Sequence, residues 1–143
     1  QMIVERMDRV SNNLQREEGF SSHAYQDHLG VWTIGFGRNV DKENRGPGIT
    51  QEEGQILLLH DIQRVANELS KRLPWVGELD LDRRECLVEI SFQLGWPRLS
   101  KFKLMLAALK AGDWTEAAEQ LLDSRYAKQT PERVARYAAR LRG

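Results

Sequence analysis

The sequence predicts an α+β fold that is mostly helical, with a small β-hairpin lobe and a helical bundle lobe joined by a long helix. Apolar residues recur every three or four positions over most of the chain, which is one face of an amphipathic helix. Between residues 24 and 37 that period gives way to short extended pieces. From about residue 51 to 73 runs the longest helical pattern of all. A chain of 143 residues, 41% of them hydrophobic, can bury one real core, or at most two small lobes that share a helix.

In residues 3 to 14 the positions Ile3, Met7, Val10 and Leu14 form one helical face, and Gly19 ends the helix, leaving Glu18 in its last turn. From Ala24 to Gly37 the residues Tyr25, Val31, Trp32, Thr33 and Ile34 favour strands, with "DHLG" as the turn of an antiparallel hairpin. Residues 38 to 49, "RNVDKENRGPGI", are polar and glycine-proline-rich, so they read as a loop with room for one more edge strand. "TQEE" at 50 to 53 is a capping box that opens the long helix, which Ile56, Leu59, Ile62, Val65, Ala66 and Leu69 carry until Pro74. After Pro74 every segment reads helical. A second capping box runs from Asp113 to Glu116, and Thr130 is placed to cap a last helix with Pro131 at its first position. One domain over 1–143 follows: a first lobe at about 12–50, the connecting helix at about 51–73, and a helical lobe at about 74–143 that also takes the N-terminal helix. No repeat or low-complexity tract interrupts it.

Charge is unevenly spread. Residues 1 to 97 carry 11 Lys and Arg against 16 Asp and Glu, whereas residues 98 to 143 carry 10 against 5. This polarity is compatible with an anionic partner gripped from the C-terminal side, though a solvated basic helix face with no partner is the commoner explanation. The single cysteine, Cys86, excludes an internal disulfide framework. No window approaches the roughly 18 apolar residues of a membrane span, and the first residues scatter their charges too evenly for a signal peptide. His23, His28 and His60 show no metal-ligand spacing with a carboxylate or with Cys86, so no metal and no cofactor is expected.

The chemistry concentrates in "REEGFSSHAYQDHLGVWTIGFGRNV", residues 16 to 40. Glu18 lies at the negative end of a helix dipole, where a carboxylate is disfavoured and its pKa tends to rise unless a cation compensates. Asp27, nine residues on in a polar turn, should stay ionised. Two carboxyl groups whose environments push their pKa values apart are what glycosidic cleavage needs: one protonates the leaving oxygen, the other works on the opposite face of the sugar. Thr33 on the next strand can hold a water. One helix-end Glu and one turn Asp nevertheless occur in most soluble proteins, so spacing alone does not establish catalysis. A serine-hydrolase reading of Ser22, His23 and Asp27 fails because neighbours on a strand point to opposite faces and no nucleophile elbow is present.

The same stretch resembles the signature of the T-even-type phage lysozymes, a glycoside hydrolase family: E-G, then D nine residues after the Glu, then T-I-G-x-G. "SFQLG" at 91 to 95, "DWTEAAEQL" at 113 to 121 and "SRYAKQTPERVAR" at 124 to 136 are similar to that family's C-terminal lobe in the same order. The resemblance implies a lysozyme-like two-lobe fold and a muramidase that cleaves the β-1,4 bond between N-acetylmuramic acid and N-acetylglucosamine with inversion. Glu18 would be the general acid, with Asp27 and Thr33 holding the attacking water. It implies substrate contacts at Gly37, Phe92 and Gln93, with Phe92 serving equally well as core. It also implies that Arg133 supports Glu18, and that Arg38 and Asp61 pair where the family enzyme has a histidine and an aspartate.

Several positions depart from the family pattern. The segment from Arg38 to Thr50 is shorter, Leu29 replaces a glutamate that meets the arginine corresponding to Arg125, and Asn39, Met105 and Gln120 stand at sugar-contacting positions. The resemblance further implies peptidoglycan strands as partner, a monomer with neither nucleic acid nor stable membrane insertion, and an endolysin. Such a protein waits in the host cytoplasm and reaches the wall in the periplasm when a separate protein permeabilises the membrane. Competing expectations are a lytic transglycosylase, which Asp27 and Thr33 disfavour, and a lysozyme-like domain of a larger tail or toxin protein.

Overall fold

A computed structural model describes residues 7–43 and 46–143. The apolar position Ile3 and positions 44–45 of the predicted loop lie outside the described residues. Helix α1 is described over Met7–Glu18 and buries Val10 and Leu14 completely, which is the predicted face. It ends where Gly19 takes a φ of 69° and its N–H donates to the Gln15 carbonyl at 3.0 Å, a left-handed closure that a side chain would disfavour.

Three antiparallel strands follow in the order β1-β2-β3: β1 Ser21–Gln26, β2 Trp32–Gly35 and β3 Arg38–Asn39. Tyr25 pairs with Thr33 and Gln26 with Trp32, while the register shifts between Ser21 and Tyr25. Strand β1 thus begins three residues before the predicted Ala24, because Ser21, Ser22 and His23 join the sheet despite their polarity. Strand β3 is the extra edge strand for which the polar segment left room.

Helix α2, Gln51–Arg72, opens on the predicted capping box: Glu53 N–H donates to Thr50 Oγ1 at 3.1 Å, and Thr50 N–H donates to Glu53 Oε1 at 3.0 Å. Its buried face takes in Ile62, Ala66 and Leu69 of the residues that carry the pattern, but not all of them. Ile56 is 55% exposed and Leu59 only half-buried, whereas Gly54, Leu58, Asp61, Ile62, Ala66 and Leu69 are buried. The run Ile-Leu-Leu-Leu at 56 to 59 puts an apolar residue on every side of the helix. The steps of four from Gly54 through Leu58, Ile62 and Ala66 select the side that goes inward.

The chain divides into two compact units at Ala66/Asn67, inside α2. The first, Ile3–Ala66, holds α1, the sheet and most of α2. Helix α1 therefore shares a unit with the sheet, rather than with the helical lobe at about 74–143. The second, from Asn67 on, continues through a 3₁₀ turn, Pro74–Glu78, into α3 Leu81–Leu94, α4 Trp96–Leu99, α5 Lys103–Ala111, α6 Trp114–Leu122, α7 Arg125–Gln129 and α8 Pro131–Arg142. Asp80, Asp113 and Ser124 each accept a backbone N–H at the start of α3, α6 and α7. Thr130 does not cap α8. Its hydroxyl turns back to the Tyr126 carbonyl at 3.3 Å, and Pro131 has no N–H to satisfy at the helix start.

Within this unit α3 packs on α4 and α8, and α6 on α5, α7 and α8. Residues 85–91 of α3 are buried one after another, as expected of a helix surrounded by others. Two of them are charged. Glu89 Oε2 lies 3.0 Å from Arg140 Nη2 of α8, at 1% and 22% side-chain exposure. Burial works against the Arg140 charge, but the hydrogen bond that the guanidinium donates to Glu89, together with the nearby Cys86, Glu89 and Tyr137, outweighs it and the pKa is raised. Beside them burial pushes the Cys86 thiol up to about 12, and its Sγ donates to the Tyr137 carbonyl at 3.6 Å.

Removing Arg140 alone leaves a carboxylate buried without this cation, so Arg140→Met should destabilise by about 3–5 kcal/mol in urea unfolding at neutral pH. Replacing Glu89 by Leu as well should restore most of that loss. Equal stability of Arg140→Met and the parent chain would show that the pair does not hold α3 to α8. In the parent chain Cys86 should react with a thiol reagent only as fast as the bundle opens.

Candidate active site

The three residues expected to do chemistry all lie in the first unit. Glu18 closes α1 and is half-buried. Its carboxyl lies against the backbone of Gly37, just beyond β2: a Cβ built there would meet Glu18 Oε2 at 2.6 Å, Cδ at 2.8 Å and Cγ at 3.1 Å. Gly37 has a φ of 78°, which also favours glycine. The residues on either side of this approach are tied together. Phe20 and Phe36 meet with ring centroids 5.2 Å apart and planes tilted by 50°, and Gly54 of α2 lies so close to both rings that a Cβ there would stand 2.9 Å from Phe20 and 3.3 Å from Phe36.

Asp27 directly follows β1 and is organised by Val31. Asp27 Oδ1 accepts the N–H of Val31 at 2.9 Å and that of Leu29 at 2.8 Å. In the other direction Asp27 N–H donates to the Val31 carbonyl at 2.9 Å. The Val31 amide, with the Leu29 amide and the neighbouring His28 adding to it and partial burial opposing, holds the Asp27 carboxyl below its usual value of 3.8.

Thr33 on β2 is buried, and its hydroxyl donates to the same Val31 carbonyl at 3.1 Å. With that proton committed, Thr33 Oγ1 faces any further partner as an acceptor. Val31 thus couples the two side chains through its N–H and C=O. Nothing in its residue type signals this; the turn length in "DHLGV" is the one trace of it.

Arg38 and Asp61 approach, but not as a bidentate pair. Asp61, 2% exposed, takes its close contact from Arg64 Nη2 at 2.9 Å, one turn further along α2, and Arg38 Nε stands 3.9 Å from the same oxygen. An i,i+3 arginine on the same helix reaches Asp61 with less ordering than one arriving from the sheet. Ser22 and His23 do touch, with Ser22 Oγ 2.9 Å from His23 Nδ1 where β1 is irregular. The other ring nitrogen, however, contacts the Gly46 carbonyl at 3.1 Å rather than a carboxylate, so the pair fastens the loop to the strand. Among the described residues no group of three or more His, Cys, Asp or Glu could hold a metal ion.

In the second unit Arg133 Nη1 donates to Gln93 Oε1, which brings two of the expected site residues together, and Phe92 is half-buried. A groove of about 430 Å³ in this unit is edged by Arg98, Lys101, Lys103 and Arg125, and its lining also includes Phe102, Met105, Gln120 and Tyr126. Met105 and Gln120 are two of the positions that depart from the family pattern.

The largely helical α+β scaffold and the family match together identify a lysozyme-like glycosidase. The chain belongs to the phage lysozyme family, whose model matches residues 15–140. It is 30% identical to "Probable T4-type lysozyme 2" of Dictyostelium discoideum over 87% of the chain and 88% of that protein. It is 28% identical to the "Endolysin" of Acyrthosiphon pisum secondary endosymbiont phage 1, over 85% of the chain and 80% of that protein. Similarity to the "Pre-baseplate central spike protein Gp5" of Enterobacteria phage T4 is 33% over 89% of the chain, which spans only 26% of the spike protein's length.

The geometry around Asp61 ranks its two arginines. Arg64→Ala should destabilise more than Arg38→Ala, by about 1–3 kcal/mol in thermal unfolding, because it takes the closer cation from a buried carboxylate. The reverse order would show that the strand-borne arginine is the one that holds Asp61.

Proposed function

We propose that the chain is a muramidase that hydrolyses the β-1,4 bond between N-acetylmuramic acid and N-acetylglucosamine in peptidoglycan, with inversion at the anomeric carbon. The observation that carries this reading is the Asp27–Val31–Thr33 network. A water placed between Asp27 and Thr33 gives one proton to the Thr33 oxygen as a hydrogen bond and the other to the Asp27 carboxylate. Its lone pair is then directed at the sugar.

Glu18 donates its proton to the glycosidic oxygen as the bond from that oxygen to the anomeric carbon breaks. The water oxygen bonds to the anomeric carbon from the opposite face, and its proton passes to Asp27. Solvent exchange then returns Glu18 to the acid and Asp27 to the carboxylate. Such displacement needs room for a water, a carboxyl separation of about 6.5–9.5 Å. A lytic transglycosylase has no task for a water-holding aspartate, so the network favours hydrolysis.

Two biological settings fit. As an endolysin the chain would wait in the host cytoplasm, act on the wall from the periplasmic side as a monomer, and depend on a separate membrane-permeabilising protein. The similarity to a quarter of a phage spike protein supports a second setting, a wall-cutting domain within a larger structural protein. In either, the groove edged by Arg98, Lys101, Lys103 and Arg125 is suited to the carboxylates of peptide stems. Arg133 and Arg140 are engaged with Gln93 and Glu89, which leaves the groove's cations as the better candidates for that attraction.

Glu18→Gln should lose at least about a hundredfold in clearing of wall suspensions while keeping its fold, and Asp27→Asn should be severely impaired. Mass analysis should find reducing ends; anhydro ends would replace hydrolysis by transglycosylation, and near-parental clearing by Glu18→Gln would sink the assignment. Because Asp27 works ionised and its pKa is lowered, the acid limb of the activity profile should fall below pH 3.8. Wall binding by Glu18→Gln should weaken between 0.01 and 0.1 M salt, where the screening length drops from about 30 to about 10 Å, and reversing Lys101 and Lys103 to Glu should flatten that dependence. Binding that ignores both salt and reversal would make the groove's charge irrelevant to docking.

A further inference from the structure

We propose that Gly37 is a positioning residue for Glu18: its bare backbone is the seat that fixes where the glutamate's carboxyl delivers its proton. The proposal rests on the reading of Glu18 as the acid. The resemblance to the family gives Gly37 a contact with substrate; the geometry gives it a task directed at the enzyme's own side chain.

Two observations carry it. The first is the approach itself. A Cβ at Gly37 would fall 2.6 to 3.1 Å from Oε2, Cδ and Cγ of Glu18, so any side chain would displace the whole carboxyl end rather than graze one atom. Real Cβ atoms are not found so near a carboxyl oxygen, and the glutamate would have to leave. The second is that the seat is held on both sides. Phe20 stands two residues past Glu18 and Phe36 one residue before Gly37, and the two rings meet at 5.2 Å under Gly54 of α2. An aromatic contact straddling the glutamate and its seat limits how far the end of α1 and the turn after β2 can separate. Three glycines with different functions are thereby distinguished. Gly37 makes room for the carboxyl, Gly54 makes room for the rings, and Gly19 closes the helix with nothing near its missing side chain.

The left-handed backbone at Gly37 would by itself make alanine costly, and the test separates that strain from the loss of the seat. Gly112, at the end of α5, has a φ of 77° against 78° at Gly37, and an added Cβ there meets only the Trp114 ring at 3.9 Å. Gly112→Ala therefore places an alanine at the same positive φ without touching Glu18. On soluble peptidoglycan fragments, Gly37→Ala should lower kcat on the order of tenfold to a hundredfold, as misplacement of a reacting group by about 1 Å does, with KM little changed. Gly112→Ala should lose stability through its positive φ and keep its kcat. In the Glu18→Gln background, adding Gly37→Ala should leave wall binding and the residual rate unchanged, since no acid remains to be positioned.

Gly54→Ala is the second variant, for the case in which Gly37→Ala does not fold. Alanine suits a helix interior, yet its Cβ presses on both rings, so kcat should fall several-fold in a protein that is fully folded by circular dichroism. A Gly37→Ala protein with the kcat of Gly112→Ala overturns the proposal. So does weakened wall binding by Glu18→Gln/Gly37→Ala, which would make Gly37 a substrate contact, or, where Gly37→Ala is unfolded, an unimpaired Gly54→Ala. An active Glu18→Gln removes the acid itself and this proposal with it, whereas an inactive Glu18→Gln beside a fully active Gly37→Ala overturns the seat alone.

Discussion

The contact between Phe20 and Phe36 beneath Gly54 is the constraint on which the first unit's chemistry depends. A glutamate at the end of a helix is among the least well held of side chains, because helix ends fray and the residues beyond them are free to turn. Here the next residue but one is an aromatic ring locked into the sheet's own turn. The ring contact ties the helix end to the sheet, and the Glu18 carboxyl lies against the bare backbone of Gly37. Glycine is required at the crossing points for the same reason: close approach of backbone to rings and to a carboxyl leaves no volume for a Cβ.

Asp27 is placed by a different kind of force. Its position and charge come from backbone amides in a five-residue turn, local in sequence and formed whenever the hairpin forms. The two carboxyls thus answer to unlike controls, one to packing against bare backbone and the other to amide dipoles. That is the condition under which one can serve as acid and the other as base at the same pH. The second unit keeps its charges inside by pairing, with Glu89 and Arg140 joining α3 to α8 where a helix surrounded on all sides would ordinarily be apolar.

The parts of this arrangement that were legible in the sequence are those written in local patterns. The capping box at Thr50, the helix end at Gly19, the turn at Asp27 and the edge strand at Arg38 each depend on a few adjacent residues. The inward face of α2 is legible from Ile62 on but not at its start, because the four apolar residues at 56 to 59 satisfy every helical register. The choice among them is made by what packs against the helix, which no single segment contains. Val31 and Phe36 were invisible for a related reason. A valine that works through its backbone and a phenylalanine that works by ring contact have no chemical signature of their own. The Asp61 pairing was foreseen with the strand and found chiefly with Arg64, since proximity along a helix competes well against a partner that the fold has yet to deliver.

Glu18, Asp27, Thr33, Val31, Gly37 and the two rings all fall within Ile3–Ala66, so the proposed bond-breaking apparatus is assembled inside one compact unit. The basic groove and the Arg133–Gln93 bond fall within the other. Chemistry and charge-based attraction can then vary separately. A change in wall composition, or incorporation into a larger protein such as a spike, would press on the cations of the second unit while leaving the acid, its seat and the water-holding pair of the first untouched. In the proposed mechanism turnover depends on close placement of the acid in a glycine-lined corner, whereas the proposed docking depends on long-range fields that salt can screen. Segregating them lets either be retuned without disturbing the other.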